Sequence, residues 1–199
     1  MTRWYREKKK EHFYKKAKRK GYRSRSAFKL KQIQKKFNII NRSDWVLDLG
    51  AAPGGWSQVS EEYVGSNGGV IGVDLNYIKP LKGAEFLRGD LTEEETIDEI
   101  KDNMDKEYVD VILSDMSPNI SGNYSVDHAR SVYLCYKALE IAKRILKNEG
   151  NFVCKVFEGQ DLKKLEEKLS NNFKKVKRYS PPASRKSSSE IYLIGIRRL

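Results

Sequence analysis

Three aspartates and one lysine stand where short apolar runs end, and these positions suit a nucleoside-like ligand beside a functional amine. The run 45–49 leads into Asp48-Leu-Gly-Ala-Ala-Pro-Gly-Gly-Trp56, whose glycines let backbone approach a ligand before a helix begins near Ser57. The glycines fall at 50, 54 and 55 with Pro53 between them, so the spacing is not G-x-G-x-x-G and a pyrophosphate cradle is not expected. A plain strand-to-helix turn is the other reading of this loop. Asp74 closes the next run roughly 20 residues further on, where a carboxylate can accept from both hydroxyls of an adenosine ribose. Asp90, after Gly89, is placed to accept from an adenine amino group, although a loop or cap aspartate fits equally. Ser114-Asp115-Met116-Ser117-Pro118-Asn119 puts another carboxylate at the fourth run's end, and Lys155 lies inside the apolar stretch NFVCKVF. Lysine is rarely buried without a partner, so an ion pair, a functional amine and a strand-end lysine reaching solvent all remain open for Lys155.

The elements that must carry these residues alternate in type. Strand-length apolar runs occupy 45–49, 69–75, 84–88, 108–115, 151–157 and 190–196. Helical spacing appears after a Ser26 cap candidate, with Ala27, Leu30, Ile33 and Phe37 on one face. It recurs over 127–147, with Gly150 as a stop, over 162–169, and more weakly over 92–104. Alternating strands and helices predict an α/β fold, a mostly parallel sheet with helices on both faces. In such a sheet ligands collect beyond the carboxyl ends of the strands, which is where the aspartates lie.

Composition narrows the chemistry and the partner. The chain has 199 residues, 39% of them hydrophobic, enough for one domain spanning 1–199 with a substantial core. No apolar run reaches about 18 residues, and the charged N-terminal stretch does not resemble a secretion signal, so a soluble cytoplasmic protein away from membranes is expected. His12 and His128 are the only histidines and Cys135 and Cys154 the only cysteines, so no metal site, disulfide framework or Ser-His-Asp chemistry is expected. The two cysteines read as small buried apolar residues. Residues 1–25 hold twelve Lys and Arg against Glu7 and Glu11, which accounts for +10 of the formal charge of +12. Charge so localised points to a polyanion, and the interleaved Trp4, Tyr5, Phe13, Tyr14 and Tyr22 suit an RNA-binding arm with stacking aromatics. A solvated basic tail and a membrane-surface helix are the competing readings, the latter wanting a cleaner apolar face.

Taken together, RSRSAFKL (23–30), DLGAAPGGWSQ (48–58), VDL (73–75), GD (89–90), SDMSPNISG (114–122), KVFEG (155–159) and SRKSSSEIY (184–192) resemble the FtsJ/RrmJ ribose 2′-O-methyltransferases over nearly the whole chain. The resemblance implies a Rossmann-like, seven-stranded fold and S-adenosyl-L-methionine as cofactor. It carries a Lys-Asp-Lys-Glu tetrad onto Lys29, Asp115, Lys155 and Glu190, and cofactor contacts onto Gly54, Gly55, Trp56, Asp74, Asp90 and Asp115. Lys155 would be the general base for a ribose hydroxyl, with Lys29 either lowering its pKa or holding the substrate. Large-subunit ribosomal RNA, modified at a uridine, is the implied substrate, with a monomer as the working form. Transfer RNA at the anticodon loop is the alternative substrate. A silent RNA-binding module and a nicotinamide-dependent dehydrogenase are rivals from other classes. The complete tetrad opposes the first and the glycine spacing opposes the second.

Overall fold

The computed structural model describes residues 13–104, 106–185 and 188–199. Residues 1–12 of the basic arm, including Trp4, Tyr5 and His12, lie outside the described residues. From residue 13 the arm is part of the fold: residues 13–19 are helical, and Ala17 packs with Phe28 and Ala183 while Phe13 lies against them.

The strands are β1 (Trp45–Leu49), β2 (Gly69–Asp74), β3 (Glu85–Arg88), β4 (Val109–Ser114), β5 (Leu146–Phe157), β6 (Phe173–Tyr179) and β7 (Glu190–Arg198). The helices are α1 (Ala27–Phe37), α2 (Gly55–Val64), α3 (Glu94–Asp102), α4 (Tyr124–Ile145) and α5 (Leu162–Ser170). The strands form one sheet in the order β3-β2-β1-β4-β5-β7-β6. Pairing is parallel from β3 through β5, while β7 runs antiparallel to both β5 and β6, so the sheet is mixed. The chain steps one way from β1 to β3 and the other way from β4 onward, which opens a crevice beyond the carboxyl ends of β1 and β4.

Period-two alternation along the strands divides the core into two layers. Leu47, Leu49, Phe152, Cys154, Val156, Ile191 and Leu193 face α4 and α5. Val46, Val111, Leu113, Val153, Tyr192 and Ile194 face α1 and α2. Asp115, Lys155 and Glu190 continue the second series, so the pleat alone assigns them to the side that carries Lys29. Both cysteines are buried, and Cys135 Sγ donates to the Lys155 carbonyl at 2.9 Å, tying α4 to β5.

The structure adjusts several sequence expectations. β6 went unseen because FKKVKRY buries only Phe173 and alternates no apolar face; it is an edge strand whose Lys and Arg discourage further pairing. Helix α4 starts at Tyr124, where the Asn123 side chain accepts from the amides of Ser125 and Val126. It ends at Ile145, so Gly150 does not stop it but lies in β5, next to an irregular stretch where Glu149 has φ 63°. Ser26 does precede α1, yet its hydroxyl pairs with Ser24 Oγ at 2.6 Å and caps no amide. At the other end, Gln34 Oε1 accepts from the amides of Ile39 and Ile40, turning the chain from α1 toward β1. Helix α2 begins at Gly55, two residues before the expected start.

Candidate active site

The crevice between β1 and β4 is a cavity of about 390 Å³ whose wall includes Gly50, Asp74, Asp90, Asp115 and Met116. Gly50 has φ 74°, and a Cβ there would lie 2.6 Å from Met116 Cγ, so a side chain at this position would collide with the cavity's rim. Asp74 links two loops: one oxygen accepts from the Ala52 amide at 3.0 Å and the other from the Asn76 amide at 2.8 Å. Asp90 accepts from the amide and hydroxyl of Thr92 at 2.9 and 2.8 Å, and these bonds hold its carboxyl below the usual range. Three carboxylates on one wall repel a pyrophosphate and suit a ligand rich in hydroxyl and amino donors that carries positive charge.

Gly54, Gly55 and Trp56 are not among the residues lining this cavity. Gly54 has φ 101°, and a Cβ on it would sit 2.7 Å from Arg23 Nη1, while one on Gly55 would sit 2.2 Å from Ser24 Oγ. The two glycines therefore let the segment before α1 close over the loop. Arg23 secures that closure by donating to the carbonyls of Pro53, Lys79 and Pro80 at 3.3, 2.6 and 2.6 Å. Trp56 is buried, donates to the Ser26 carbonyl at 2.9 Å and packs on Tyr192 with ring centroids 5.6 Å apart.

Beside the cavity, Lys29, Asp115, Lys155 and Glu190 converge from four elements. Lys155 Nζ lies 3.0 Å from Asp115 Oδ1 and donates to the Asp115 carbonyl at 2.5 Å. Lys29 Nζ lies 2.6 Å from Glu190 Oε1, but not along a hydrogen-bonding direction, so the contact is a close ion pair without a directed bond. Both lysines are buried. Burial works to raise the Asp115 carboxyl, but Lys155, Lys29 and the Tyr192 hydroxyl outweigh it and hold the group below its ordinary value. Asp115 is thus an anion throughout the neutral range.

Two further residues belong to this region and were not singled out from sequence. Tyr192 is fully buried, donates to Asp115 Oδ1 at 2.7 Å and has the Lys29 ammonium 5.6 Å from its ring centre. Burial, then Asp115 and Glu190, push its phenol well above the usual value, so it stays a donor. Its signal was its position two residues after Glu190, hence on the same strand face. Asp48 is the other: it accepts from Ser57 Oγ at 2.7 Å, its second oxygen has no partner, and burial pushes its carboxyl up to about 7. A charged residue inside WVLDL was the available clue.

Residues 22–198 match the FtsJ-like methyltransferase family. The chain belongs to that family. Among curated relatives, a protein named ribosomal RNA large subunit methyltransferase E from Methanosarcina mazei is 52% identical over 185 residues, 93% of this chain and 68% of the relative. A protein of the same name from Methanothrix thermoacetophila is 52% identical over 186 residues, 94% of this chain and 72% of the relative. The fold is similar to a solved structure from Plasmodium falciparum described as a ribosomal RNA methyltransferase, with TM-score 0.81 and 27% identity over 89% of this chain and 99% of that one. Methyl transfer is a polar reaction, and a site of two buried lysines and two carboxylates is suited to moving a proton and holding a nucleophile. Among the described residues there is no His, Cys, Asp and Glu grouping arranged for a metal, and no helix long and apolar enough to cross a membrane.

Proposed function

We propose that this protein methylates a ribose 2′-hydroxyl of large-subunit ribosomal RNA, at a uridine, using S-adenosyl-L-methionine. The observation that carries the reading is the meeting of Lys155 with Asp115 and of Lys29 with Glu190 at the edge of the carboxylate-lined cavity. When bound, the cofactor supplies a methyl group already activated by a sulfonium. Its adenosine ribose would be held by Asp74 and its adenine amino group by Asp90, with Asp115 facing its cationic end. The Gly54–Trp56 segment then acts by shaping the loop and joining α2 to α1.

A ribose hydroxyl is a poor nucleophile, so the residues around it must remove its proton and aim its oxygen. Lys155 in its neutral form takes that proton at Nζ, while Asp115 fixes Nζ through its carbonyl and its carboxylate. Tyr192 keeps the Asp115 carboxylate in place from below. Glu190 positions Lys29, whose ammonium holds the substrate oxygen or an adjoining phosphate. The relatives' shared name supports ribosomal RNA over transfer RNA.

The test is transfer of labelled methyl to large ribosomal subunits, free ribosomal RNA and transfer RNA, with the modified ribose mapped. Label on a ribosomal 2′-oxygen is expected. Label confined to transfer RNA would replace the substrate, and failure to bind S-adenosyl-L-methionine would sink the enzyme reading.

A further inference from the structure

Large apolar side chains that stay in water are few and unevenly spread. Of nine among the described residues, four fall within the stretch 120–133: Ile120, Tyr124, Val126 and Tyr133. Scattered singly they would need no explanation, but a group of them marks a surface that meets something. Val126 and Tyr133 lie along α4, whereas Ile120 is on the loop that leaves Asp115 and Tyr124 is where that loop enters α4. Ser117 and Asn119 of the same loop line the carboxylate cavity, but Ile120 and Tyr124 do not, so this pair belongs to the surface beside the cavity and not to its wall.

Hydrogen bonds hold both residues in position. Asp127 fixes the loop by accepting from the Ser121 amide and hydroxyl at 2.8 and 2.7 Å and from the Gly122 amide at 3.2 Å. Arg130 Nη1 donates to the Asn119 carbonyl at 3.2 Å, so Ile120 sits between two pinned residues while its own side chain is 63% exposed. Tyr124 reaches to the far end of β5: its hydroxyl donates to the Glu158 carbonyl at 2.5 Å, and the Glu158 amide donates to the Ser189 carbonyl at 2.9 Å. Ser189 precedes Glu190, and Glu158 follows Phe157, the residue paired with Glu190 across the sheet. The phenol is thus fastened beside the tetrad's glutamate and three residues beyond Lys155, about 10 Å of extended chain. Tied at its hydroxyl and still 56% exposed, the ring is a rigid aromatic face.

Lys29 and Lys155 are buried, so a ribose that reaches them has to come from an unpaired nucleotide drawn out of its neighbours' stack, and the lost stacking has to be replaced. We propose that Tyr124 and Ile120 form the seat of the target nucleobase, the tyrosine ring replacing the stacking that the nucleotide gives up and the isoleucine closing the apolar edge. This rests on the 2′-O-methylation reading, because the ribose at Lys155 is what brings a base to this side of the tetrad. Aromatic stacking accepts every base, so the seat orients the nucleotide and leaves the choice of uridine to other contacts.

Tyr124→Ala, Tyr124→Phe and Ile120→Ser variants of the full chain are compared with the unaltered protein. Affinity is measured for oligouridine and for a ribose–phosphate chain of equal length that lacks bases, alongside binding of S-adenosyl-L-methionine and methyl transfer to large ribosomal subunits. Tyr124→Ala should weaken oligouridine binding about 5- to 100-fold, the range for losing one base–aromatic stack, while affinity for the chain without bases and for the cofactor stays the same. Ile120→Ser should act in the same direction and less. Tyr124→Phe keeps the ring and loses the bond to Glu158, so it should retain most of the oligouridine affinity. Equal losses in Tyr124→Phe and Tyr124→Ala, or equal losses for the two probes, would overturn the seat by assigning Tyr124 to holding the loop or to the RNA backbone. Reduced transfer to large subunits with both affinities unaltered would overturn it in favour of a contact with a ribosomal protein. Oligouridine binding needs no turnover, so the two readings fail separately. A base-dependent loss in Tyr124→Ala, with no ribose labelled by the unaltered protein, would keep the nucleobase seat and remove the methylation reading; normal labelling with no base-dependent loss would do the reverse.

Discussion

The two halves of the site differ in charge and in construction. The cavity beyond β1, β2 and β3 is walled by carboxylates at or just past strand ends, Asp74 as the last residue of β2 and Asp90 two residues beyond β3. The tetrad side pairs two buried lysines with two carboxylates, and it is assembled from α1, the end of β4, β5 and the start of β7, positions 29, 115, 155 and 190. Asp115 touches both halves. The contrast teaches that one strand end can present a carboxylate to an open cavity on one side and to a buried lysine on the other.

Substitutions that strike one half and spare the other are the direct way to break this division. Lys155→Ala should lower single-turnover methyl transfer by about 10²- to 10⁴-fold, the range for losing a positioned base, while calorimetric affinity for S-adenosyl-L-methionine stays the same. Equal loss of cofactor affinity would mean that the halves are one binding site.

Asp48 tests the anionic half through stability. Its folded pKa of about 7 lies above the ordinary 3.8, so the folded form retains a proton that the unfolded chain has released. Stability from this group is therefore present below about pH 4 and is lost as pH rises toward 7, up to roughly 4 kcal/mol at the most. Asp48→Asn should flatten that fall and make the cofactor-free protein more stable than its parent at pH 8, as read by urea unfolding at a series of pH values. A variant less stable at pH 8 would show that the Asp48 charge is compensated.

Asp74→Ala should raise the cofactor dissociation constant about 10- to 100-fold, as expected for losing charge-assisted hydrogen bonds, with RNA affinity little changed. Tyr192→Phe is the mildest and sharpens the boundary itself. It removes one bond that keeps Asp115 low, at about 1 kcal/mol, so kcat should fall roughly tenfold or less and the acid limb of its pH profile should move upward. A fall in kcat with an unmoved limb would confine Tyr192 to packing.

Much of this arrangement is legible along the chain and some of it is not. The runs 45–49 and 162–169 fall on β1 and α5 because apolar periodicity over a few residues is set by which faces must leave water. Asp74 and Asp90 are readable because a parallel strand delivers its carboxyl end, and the residues just after it, to the ligand edge. Tyr192 and Asp48 escaped notice because a tyrosine or aspartate inside an apolar run has no local mark of what it touches. Trp56 shows the opposite error of emphasis: its place in the glycine loop suggests a ligand wall, yet its indole packs against Tyr192 and reaches Ser26.

By itself the amino-acid sequence determined the α/β class, the face each strand residue takes and the motif residues of the family, since these follow from periodicity and side-chain chemistry within short windows. Only the tertiary structure decided that β7 runs antiparallel between β5 and β6, and that Lys29 meets Glu190 and Lys155 meets Asp115. Those outcomes depend on which distant strands become neighbours, and strand pairing is settled by the packing of the whole sheet and its helices.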